Sequence, residues 1–347
     1  MRNRPAIASL SLGKALVHDL PEKLCQAAKY GFEGIEMFYE DLESYSHSLD
    51  VGLPDAAVHV RQLCDSLHLE IVCLQPFMFY EGLIDRAEHH RLVSEKIQLW
   101  FRLAHILGTD IIQVPSNFLP PDSVTGEPQT TGDIDVIVSD LREIADLARQ
   151  QSPPIRLAYE SLAWGNHVNT WEQCWEVINR VDRPNFGACL DTFNIAARVY
   201  ADPAVPSGKT RNADIAIRDS ITRLVETVDA RKIFFVQIVD GERLSRPLVE
   251  GHPFYVKEQP SRMSWSRNAR LFAFEESRGG YLPILNIARA FFDTGFKGWV
   301  SMELFSRTLA DPDPRTPEEH AHRGMESYKK LMQKLGLDVI HPIRHTL

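Results

Sequence analysis

Eight strand-like segments alternate with eight helix-like segments along this chain, and this alternation constrains the fold more than any other feature of the sequence. The strand-like segments are short apolar runs, whereas the helix-like segments repeat apolar residues every three or four positions, as at Ile137, Leu141 and Ile144. The predicted strands cover residues 6–10, 34–38, 70–74, 111–114, 156–160, 186–191, 232–239 and 298–304. The predicted helices cover residues 21–30, 55–67, 88–107, 133–151, 170–181, 213–228, 282–294 and 317–335. Eight such units favour a closed parallel barrel over an open sheet, so we expect an α/β protein with a single (β/α)8 TIM barrel.

The connections between these segments differ in length on the two sides of the predicted barrel. Connections from a helix to the next strand are short, as at 31–33 and 108–110, whereas the strand-to-helix connections are long. The long ones are 39–54, 75–87, 115–132, 192–212 and 240–281. Long loops commonly form binding loops or lids, so the carboxyl ends of the strands are the expected functional face. We therefore expect one domain over residues 1–347, with a lid-like insertion at 240–281 and a C-terminal tail at 336–347.

Four predicted strands end in side chains that carry oxygen, namely Glu160, Asp191, Gln237 and Glu303. A parallel barrel brings such terminal residues together at one mouth. Any one of them alone is explained by contact with water, but four on successive units favour a site for a hard divalent cation. Because no histidine ends a predicted core strand, Mg²⁺, Mn²⁺ or Co²⁺ is a better expectation than Zn²⁺.

Other side chains in the long loops are candidates for catalysis and substrate binding. Glu160 and Glu303 would face each other across the barrel and could exchange a proton with a substrate beside a carbonyl. His252 in the lid is a third candidate acid or base. The candidate substrate-binding residues are Arg86, Arg262 and Arg267 for a carboxylate, Tyr80 for a ring, Asn117 and Asn194 for hydroxyl groups, and Ser264 in the lid. Each of these loop residues also has a structural explanation, as an ion pair, a packing contact or a solvated side chain.

The composition restricts the class of partner. The formal net charge of −9 argues against a nucleic-acid partner, because binding to a phosphate backbone depends on clustered Lys and Arg; a small-molecule substrate fits better. No stretch approaches about 18 uninterrupted apolar residues, so no membrane span is expected, and the N-terminus lacks the apolar core of a signal peptide. The five cysteines are odd in number and form no CxxC pattern, which indicates a reducing, cytoplasmic compartment.

Three segments carry a resemblance to a known family: 71–77 (IVCLQPF), 189–194 (CLDTFN) and 262–268 (RMSWSRN). In order and spacing, residues 6–328 resemble the fungal 3-dehydroshikimate dehydratases of quinate and shikimate catabolism, which belong to the sugar-phosphate isomerase/epimerase-like barrels. The resemblance implies a metal-dependent lyase that forms protocatechuate and water through a metal-stabilised enolate. It also implies that the metal ligands are Glu160, Asp191, Gln237 and Glu303.

The chain departs from some relatives at two positions near these ligands. Where those relatives carry a basic residue, this sequence has Leu162, two positions after the first Glu, and Asn194, three positions after the Asp. The identity of the general base therefore stays open between Glu160, Glu303 and His252.

Three alternative functions compete with this interpretation. A ketose or sugar-phosphate epimerase or isomerase needs the same metal and the same two Glu residues, but the arginines of the lid favour an anionic substrate over a neutral sugar. An endonuclease of the same superfamily conflicts with the acidic net charge. A non-catalytic binding barrel is disfavoured because all four oxygen ligands are retained.

Overall fold

The computed structural model describes residues 2–337, and their main sheet is a closed barrel of eight parallel strands. The barrel strands are β1 (Arg4–Ala8), β2 (Gly34–Phe38), β3 (Glu70–Gln75), β4 (Ile111–Pro115), β5 (Arg156–Glu160), β6 (Phe186–Asp191), β7 (Ile233–Gln237) and β10 (Trp299–Met302). Each strand pairs with its neighbours in chain order, and β10 closes the barrel against β1. Two further short strands, β8 (Asp240–Gly241) and β9 (Arg270–Leu271), form an antiparallel pair outside the barrel. The predicted fold class and all eight predicted barrel strands are confirmed.

The helices lie between the strands and cover the outside of the barrel. They are α1 (Leu20–Tyr30), α2 (Tyr39–Leu49), α3 (Leu53–Ser66), α4 (Arg86–Arg91), α5 (Ile97–Leu107), α6 (Ile134–Arg149), α7 (Trp171–Val181), α8 (Thr192–Val199), α9 (Ala213–Thr227), α10 (Ser261–Ala269), α11 (Ile284–Asp293) and α12 (Thr316–Leu335). A π-helical stretch, Leu92–Lys96, joins α4 to α5. The structure corrects three of the predicted connections, because α2 lies within 39–54, α8 within 192–212 and α10 within 240–281.

Side chains alternate between the inside and the outside of the barrel wall, as the two-residue period of a strand requires. Those facing inward form a small apolar cluster that includes Ile111 of β4, Ala158 of β5 and Phe235 of β7. Their outward neighbours pack against the helices in one large core. The interior below the mouth is therefore filled, and the open space lies at the carboxyl ends of the strands.

Residues 240–281, the insertion after β7, are tied down at both ends. One carboxylate oxygen of Asp240 accepts hydrogen bonds from the backbone N–H groups of Tyr281 (3.3 Å) and Leu282 (2.9 Å), which join the two ends of the insertion. The pairing of β8 with β9 then returns the chain to the barrel, where the Arg270 N–H donates to the Phe305 carbonyl at 2.9 Å. The insertion consequently places α10 and β9 beside the mouth.

Gly336 and Leu337 follow α12, and the remainder of the predicted tail, 338–347, lies outside the described residues. Within residues 2–337 no helix has the length and apolarity that crossing a membrane requires.

Candidate active site

Three buried carboxylates meet at the mouth of the barrel. Glu160 ends β5, Asp191 ends β6, and Glu303 follows β10 directly. One oxygen from each lies within 4.8 Å of the others, and the three residues are only 3%, 2% and 4% exposed. The structure thus brings together the three carboxylates that the sequence pattern selected.

Gln237, the fourth candidate ligand, lies on the neighbouring strand in register with Asp191. Its amide nitrogen donates to Glu36 Oε2 at 2.8 Å, and its amide oxygen accepts from the Cys189 thiol at 3.4 Å. Because a carboxylate accepts hydrogen bonds, Glu36 fixes which end of the amide is nitrogen. Burial raises the pKa of Glu36 to about 7. The role of Gln237 as a ligand stays a prediction.

The carboxylate cluster holds three acidic groups close together with one cationic side chain beside them. Burial raises the pKa of Glu160 well above its ordinary value, and the charges of Glu303 and Asp191 raise it further. Burial likewise raises the pKa of Glu303 to about 8 and raises the pKa of Asp191. If all three carboxylates are ionised, they and the single guanidinium of Arg270 leave a net charge of −2 (−3 + 1), which a bound cation would offset. An all-oxygen donor set with this excess charge fits a hard divalent cation.

Arg270 is a site residue that the sequence pattern did not predict. Its Nη1 donates to Asp191 Oδ2 at 2.9 Å and to Glu303 Oε2 at 3.0 Å. The guanidinium lies 4.4 Å from the ring centre of Phe193 and 4.9 Å from that of Phe305. The only sequence signal was its place in an arginine-rich insertion, and that signal does not separate Arg270 from Arg262 or Arg267.

Two amide side chains hold Glu160 from either side. The Asn194 amide donates to Glu160 Oε1 at 2.7 Å and to Asp191 Oδ2 at 2.9 Å. The Gln113 amide, from the middle of β4, donates to Glu160 Oε2. Asn194, predicted to bind substrate, therefore supports the carboxylate cluster, and Gln113 was not predicted at all.

A cavity of about 520 Å³ opens above the cluster and is lined by Glu160, Glu303 and Arg270. Two aromatic pairs form opposite walls: Phe118 with Trp164, ring centres 6.3 Å apart, and Phe38 with Phe305, 6.0 Å apart. Among residues 2–337, the buried indole N–H of Trp164 has no hydrogen-bond partner. The walls can therefore contact a flat ring while polar groups reach its edge.

Cationic side chains lie at the rim of this cavity. Lys14, Arg267 and Arg307 line it, and Arg307 is paired with Glu242. Arg267, predicted to bind a carboxylate, has no hydrogen bond or ion pair to the rest of the described chain. Burial lowers the pKa of Arg267. An anionic ligand would supply the missing partner.

Three predicted substrate-binding residues lie outside the cavity wall, in the segments after β3 and β4. Arg86 makes a two-pronged ion pair with Asp140, at 2.8 and 3.1 Å. The Tyr80 hydroxyl donates to the Asp140 carbonyl at 2.9 Å, and the Asn117 amide donates to the Glu81 carbonyl at 2.8 Å. These partners anchor the loops to α6 and to each other, which is a structural use of all three side chains.

Three predicted residues of the insertion also lie outside the cavity wall. Arg262 donates to the carbonyls of Ala197 (2.6 Å) and Ala201 (3.0 Å), at the end of α8. The Ser264 hydroxyl faces Gln259 Oε1 at 3.2 Å. The imidazole of His252 accepts from the Phe254 backbone N–H at 3.1 Å. Of the insertion residues predicted from the sequence to belong to the site, the structure thus places only Arg267 at the cavity.

The fold and the site define a class of protein. The chain belongs to the xylose isomerase-like TIM barrels, whose family model matches residues 24–341. Within this class it is 52% identical over 356 residues to the 3-dehydroshikimate dehydratase of Neurospora crassa, covering 99% of this chain and 97% of that protein. The resemblance to the fungal dehydratases is confirmed.

Two longer proteins match this chain over part of their length. The 3-dehydroshikimate dehydratase of Pseudomonas aeruginosa is 33% identical over 301 residues, which cover 87% of this chain and 38% of that protein. A solved fusion of a xylose isomerase-like TIM barrel with a 4-hydroxyphenylpyruvate dioxygenase is 28% identical, with a TM-score of 0.71. Its match covers 96% of this chain and 44% of that chain, so this chain spans less than half of both longer proteins.

Proposed function

We propose that the protein is a 3-dehydroshikimate dehydratase, a hydro-lyase that forms protocatechuate and water and requires a divalent cation. The observation that carries this proposal is 52% identity to the Neurospora enzyme along nearly the whole of both chains. The carboxylate cluster under a cavity with a cationic rim supports it independently.

The cation would be held by Glu160, Asp191, Gln237 and Glu303. Mg²⁺, Mn²⁺ and Co²⁺ suit a site made of three carboxylates and an amide oxygen without thiolate or imidazole. When bound, such a cation acts as a Lewis acid on a substrate carbonyl, and this is the chemistry that it would supply here.

We propose Glu303 as the general base. Both oxygens of Glu160 are held by amides, from Gln113 and Asn194, so its lone pairs are less free to receive a proton. Glu303 would take the proton from the carbon next to the ketone, and the electron pair would move toward the ketone oxygen. Loss of the hydroxyl on the next carbon, together with a proton, releases water. Transfer of a ring proton to the ketone oxygen then gives the aromatic product, so the balance is one substrate to protocatechuate plus one water.

Two features of the cavity support a ring-shaped anion as substrate. Arg267 lies at the rim, has no ion-pair partner within residues 2–337, and could bind the substrate carboxylate in a bidentate manner. The aromatic pairs on opposite walls are suited to the faces of a six-membered ring. A neutral ketose would form no ion pair with Arg267 and would contact the flat aromatic walls less well.

The organisation and location of the protein are part of the proposal. We propose one domain in which residues 240–281 act as a lid over the mouth. A cytoplasmic location and a role in quinate and shikimate catabolism agree with five unpaired cysteine thiols and a small-molecule substrate.

The test is a turnover assay on purified protein that has been treated with a chelator and then reloaded. With 3-dehydroshikimate, we expect activity to be lost on chelation and restored by Mg²⁺, Mn²⁺ or Co²⁺. The product should be identified as protocatechuate by chromatography as well as by its aromatic absorbance. Full turnover by metal-free protein would remove the cation from the proposal, and a ketose epimerised with higher kcat/KM would replace the substrate.

A further inference from the structure

Gln113 lies in the middle of β4 and points into the barrel. It pairs in register with Ala158 of β5, which belongs to the interior cluster together with Ile111. Its outward neighbours Ile112 and Val114 pack in the outer core. The residue is 1% exposed and its side chain lines the cavity. A buried polar side chain at this position needs an explanation.

The orientation of the Gln113 amide is fixed by Glu160. As a ligand of the proposed cation, Glu160 is ionised and only accepts hydrogen bonds, so the amide nitrogen must face Glu160 Oε2. The other oxygen of Glu160 is held by Asn194 at 2.7 Å, which keeps the carboxylate from turning away. The amide oxygen of Gln113 is therefore also fixed in place.

That amide oxygen is buried and has no hydrogen-bond partner among residues 2–337. A buried acceptor without a donor is costly, and a donor that enters the cavity with a ligand would remove the cost. An amide oxygen can accept a hydrogen bond but has no proton to give. It therefore cannot protonate a hydroxyl that leaves as water, whereas it is well suited to a hydroxyl that stays.

We infer that Gln113 binds the substrate by accepting a hydrogen bond from the ring hydroxyl next to the ketone, the hydroxyl that the reaction retains. This inference rests on the proposed function, because it takes the substrate from there. It gives Gln113 two roles: the nitrogen orients Glu160, and the oxygen distinguishes substrates with this hydroxyl from those without it.

The experiment compares 3-dehydroshikimate with its analogue lacking that hydroxyl, whose dehydration would give 3-hydroxybenzoate. The quantity measured is the ratio of the two kcat/KM values, which does not depend on the fraction of active, metal-loaded enzyme. In Gln113→Met the preference for 3-dehydroshikimate should fall by about tenfold to a hundredfold relative to the wild type. Gln113→Asn keeps an amide but withdraws it by one methylene, and should lower the ratio too.

Asn194→Leu is the matched control, because Asn194 donates to the other oxygen of Glu160 at 2.7 Å but lies outside the cavity wall. This variant should lower both rates and leave the ratio unchanged. If wild-type protein turns over 3-dehydroshikimate and the Gln113 variants keep its ratio, Gln113 only supports Glu160 and the inference is overturned. If wild-type protein turns over neither compound, the proposed function fails and the inference fails with it.

Discussion

Asp191 combines two tasks in one side chain. It belongs to the carboxylate cluster, and one of its oxygens accepts the Phe193 backbone N–H at 2.6 Å, which caps the start of α8. Asparagine keeps an oxygen for the cap but lacks the charge that a cation needs.

We expect Asp191→Asn to remain folded and to lose at least about a hundredfold in kcat/KM, because several kcal/mol of charge stabilisation depend on the cation. The measurements are steady-state kinetics, metal content and thermal unfolding. Asp110→Asn, which alters an ion pair with Arg156 at the opposite end of the barrel, is the control and should stay close to wild type. Wild-type kcat/KM in the Asp191 variant would contradict the proposed ligand set.

The two arginines of α10 provide a second test at the level of single residues. Lysine keeps the charge of arginine but loses the planar pair of donors. Because Arg267 would hold the substrate carboxylate, we expect Arg267→Lys to lose about 1.5–3 kcal/mol of transition-state stabilisation. This loss lowers kcat/KM roughly tenfold to a hundredfold.

Arg262→Lys is the comparison, since Arg262 bonds to carbonyls at the end of α8 and lies outside the cavity wall. It should lower thermal stability modestly and leave kcat/KM nearly unchanged. If both variants have the kcat/KM of the wild type, Arg267 does not bind the substrate carboxylate. Another cationic side chain of the rim, such as Lys14, would then be the candidate.

At the scale of the elements, the position of the insertion 240–281 depends on Asp240, which joins its two ends. One oxygen of this side chain accepts three backbone N–H groups, those of Gly241 (2.7 Å), Tyr281 and Leu282. Asp240→Ala should leave these donors unpaired, at a cost of about 1–3 kcal/mol for each one that stays buried. We expect faster limited proteolysis within 240–281 and a lower kcat/KM, because β9 would hold Arg270 less firmly.

Asp240→Asn is the matched variant, since its amide oxygen can still accept the three N–H groups. Burial raises the pKa of Asp240 to about 7, so a neutral side chain is a close substitute near neutral pH. The asparagine variant should resist proteolysis as the wild type does. If the alanine variant is cleaved no faster than the wild type, other contacts hold the two ends of the insertion together.

Two of the helices that the sequence did not predict, α2 and α8, lack a local signal that separates them from a loop. In α2, Asp41 makes a buried ion pair with Lys23 of α1 and accepts the Ser9 hydroxyl at 2.7 Å. The segment itself is polar and shows little apolar periodicity. The helix α8 begins directly at Asp191, with no loop to mark its start. Local patterns cannot reveal either arrangement.

At the scale of the whole molecule, the barrel was predictable because its eight units repeat one periodic pattern. Glu160, Asp191 and Glu303 were predictable for the same reason, since strand ends converge in any such barrel. Arg270 and Gln113 were not. Arg270 reaches the site only because the insertion folds back onto the barrel, and Gln113 is a single polar residue within an otherwise apolar strand.

The stability of the metal-free protein should depend on pH through buried carboxylates outside the cation site. Glu81 is 2% exposed, and it accepts hydrogen bonds from the Asn117 N–H and the Tyr159 hydroxyl. Burial raises the pKa of Glu81 from 4.5 to about 7. Between these values the folded state holds a proton that the unfolded state has released, so the stability contributed by Glu81 falls as pH rises.

The glutamine of Glu81→Gln cannot ionise and keeps an acceptor oxygen. We expect the unfolding free energy of this variant, minus that of the wild type, to rise by about 3 kcal/mol between pH values below ~4.5 and above ~7. Urea unfolding of both metal-free proteins at about pH 5 and about pH 8 would capture most of this change. If the unfolding free energies of Glu81→Gln and wild type differ by the same amount at both pH values, Glu81 is not the source of the pH dependence.

Arg270, the counter-charge of the carboxylate cluster, belongs to the insertion and not to the barrel strands. Loop grafting between related barrels is a natural way to redirect specificity, and it treats such insertions as exchangeable parts. In this protein the graft would also replace a charge that touches two proposed metal ligands. A chimera that changes residues 240–281 must therefore retain an arginine at this place, or its affinity for the cation will change together with its choice of substrate.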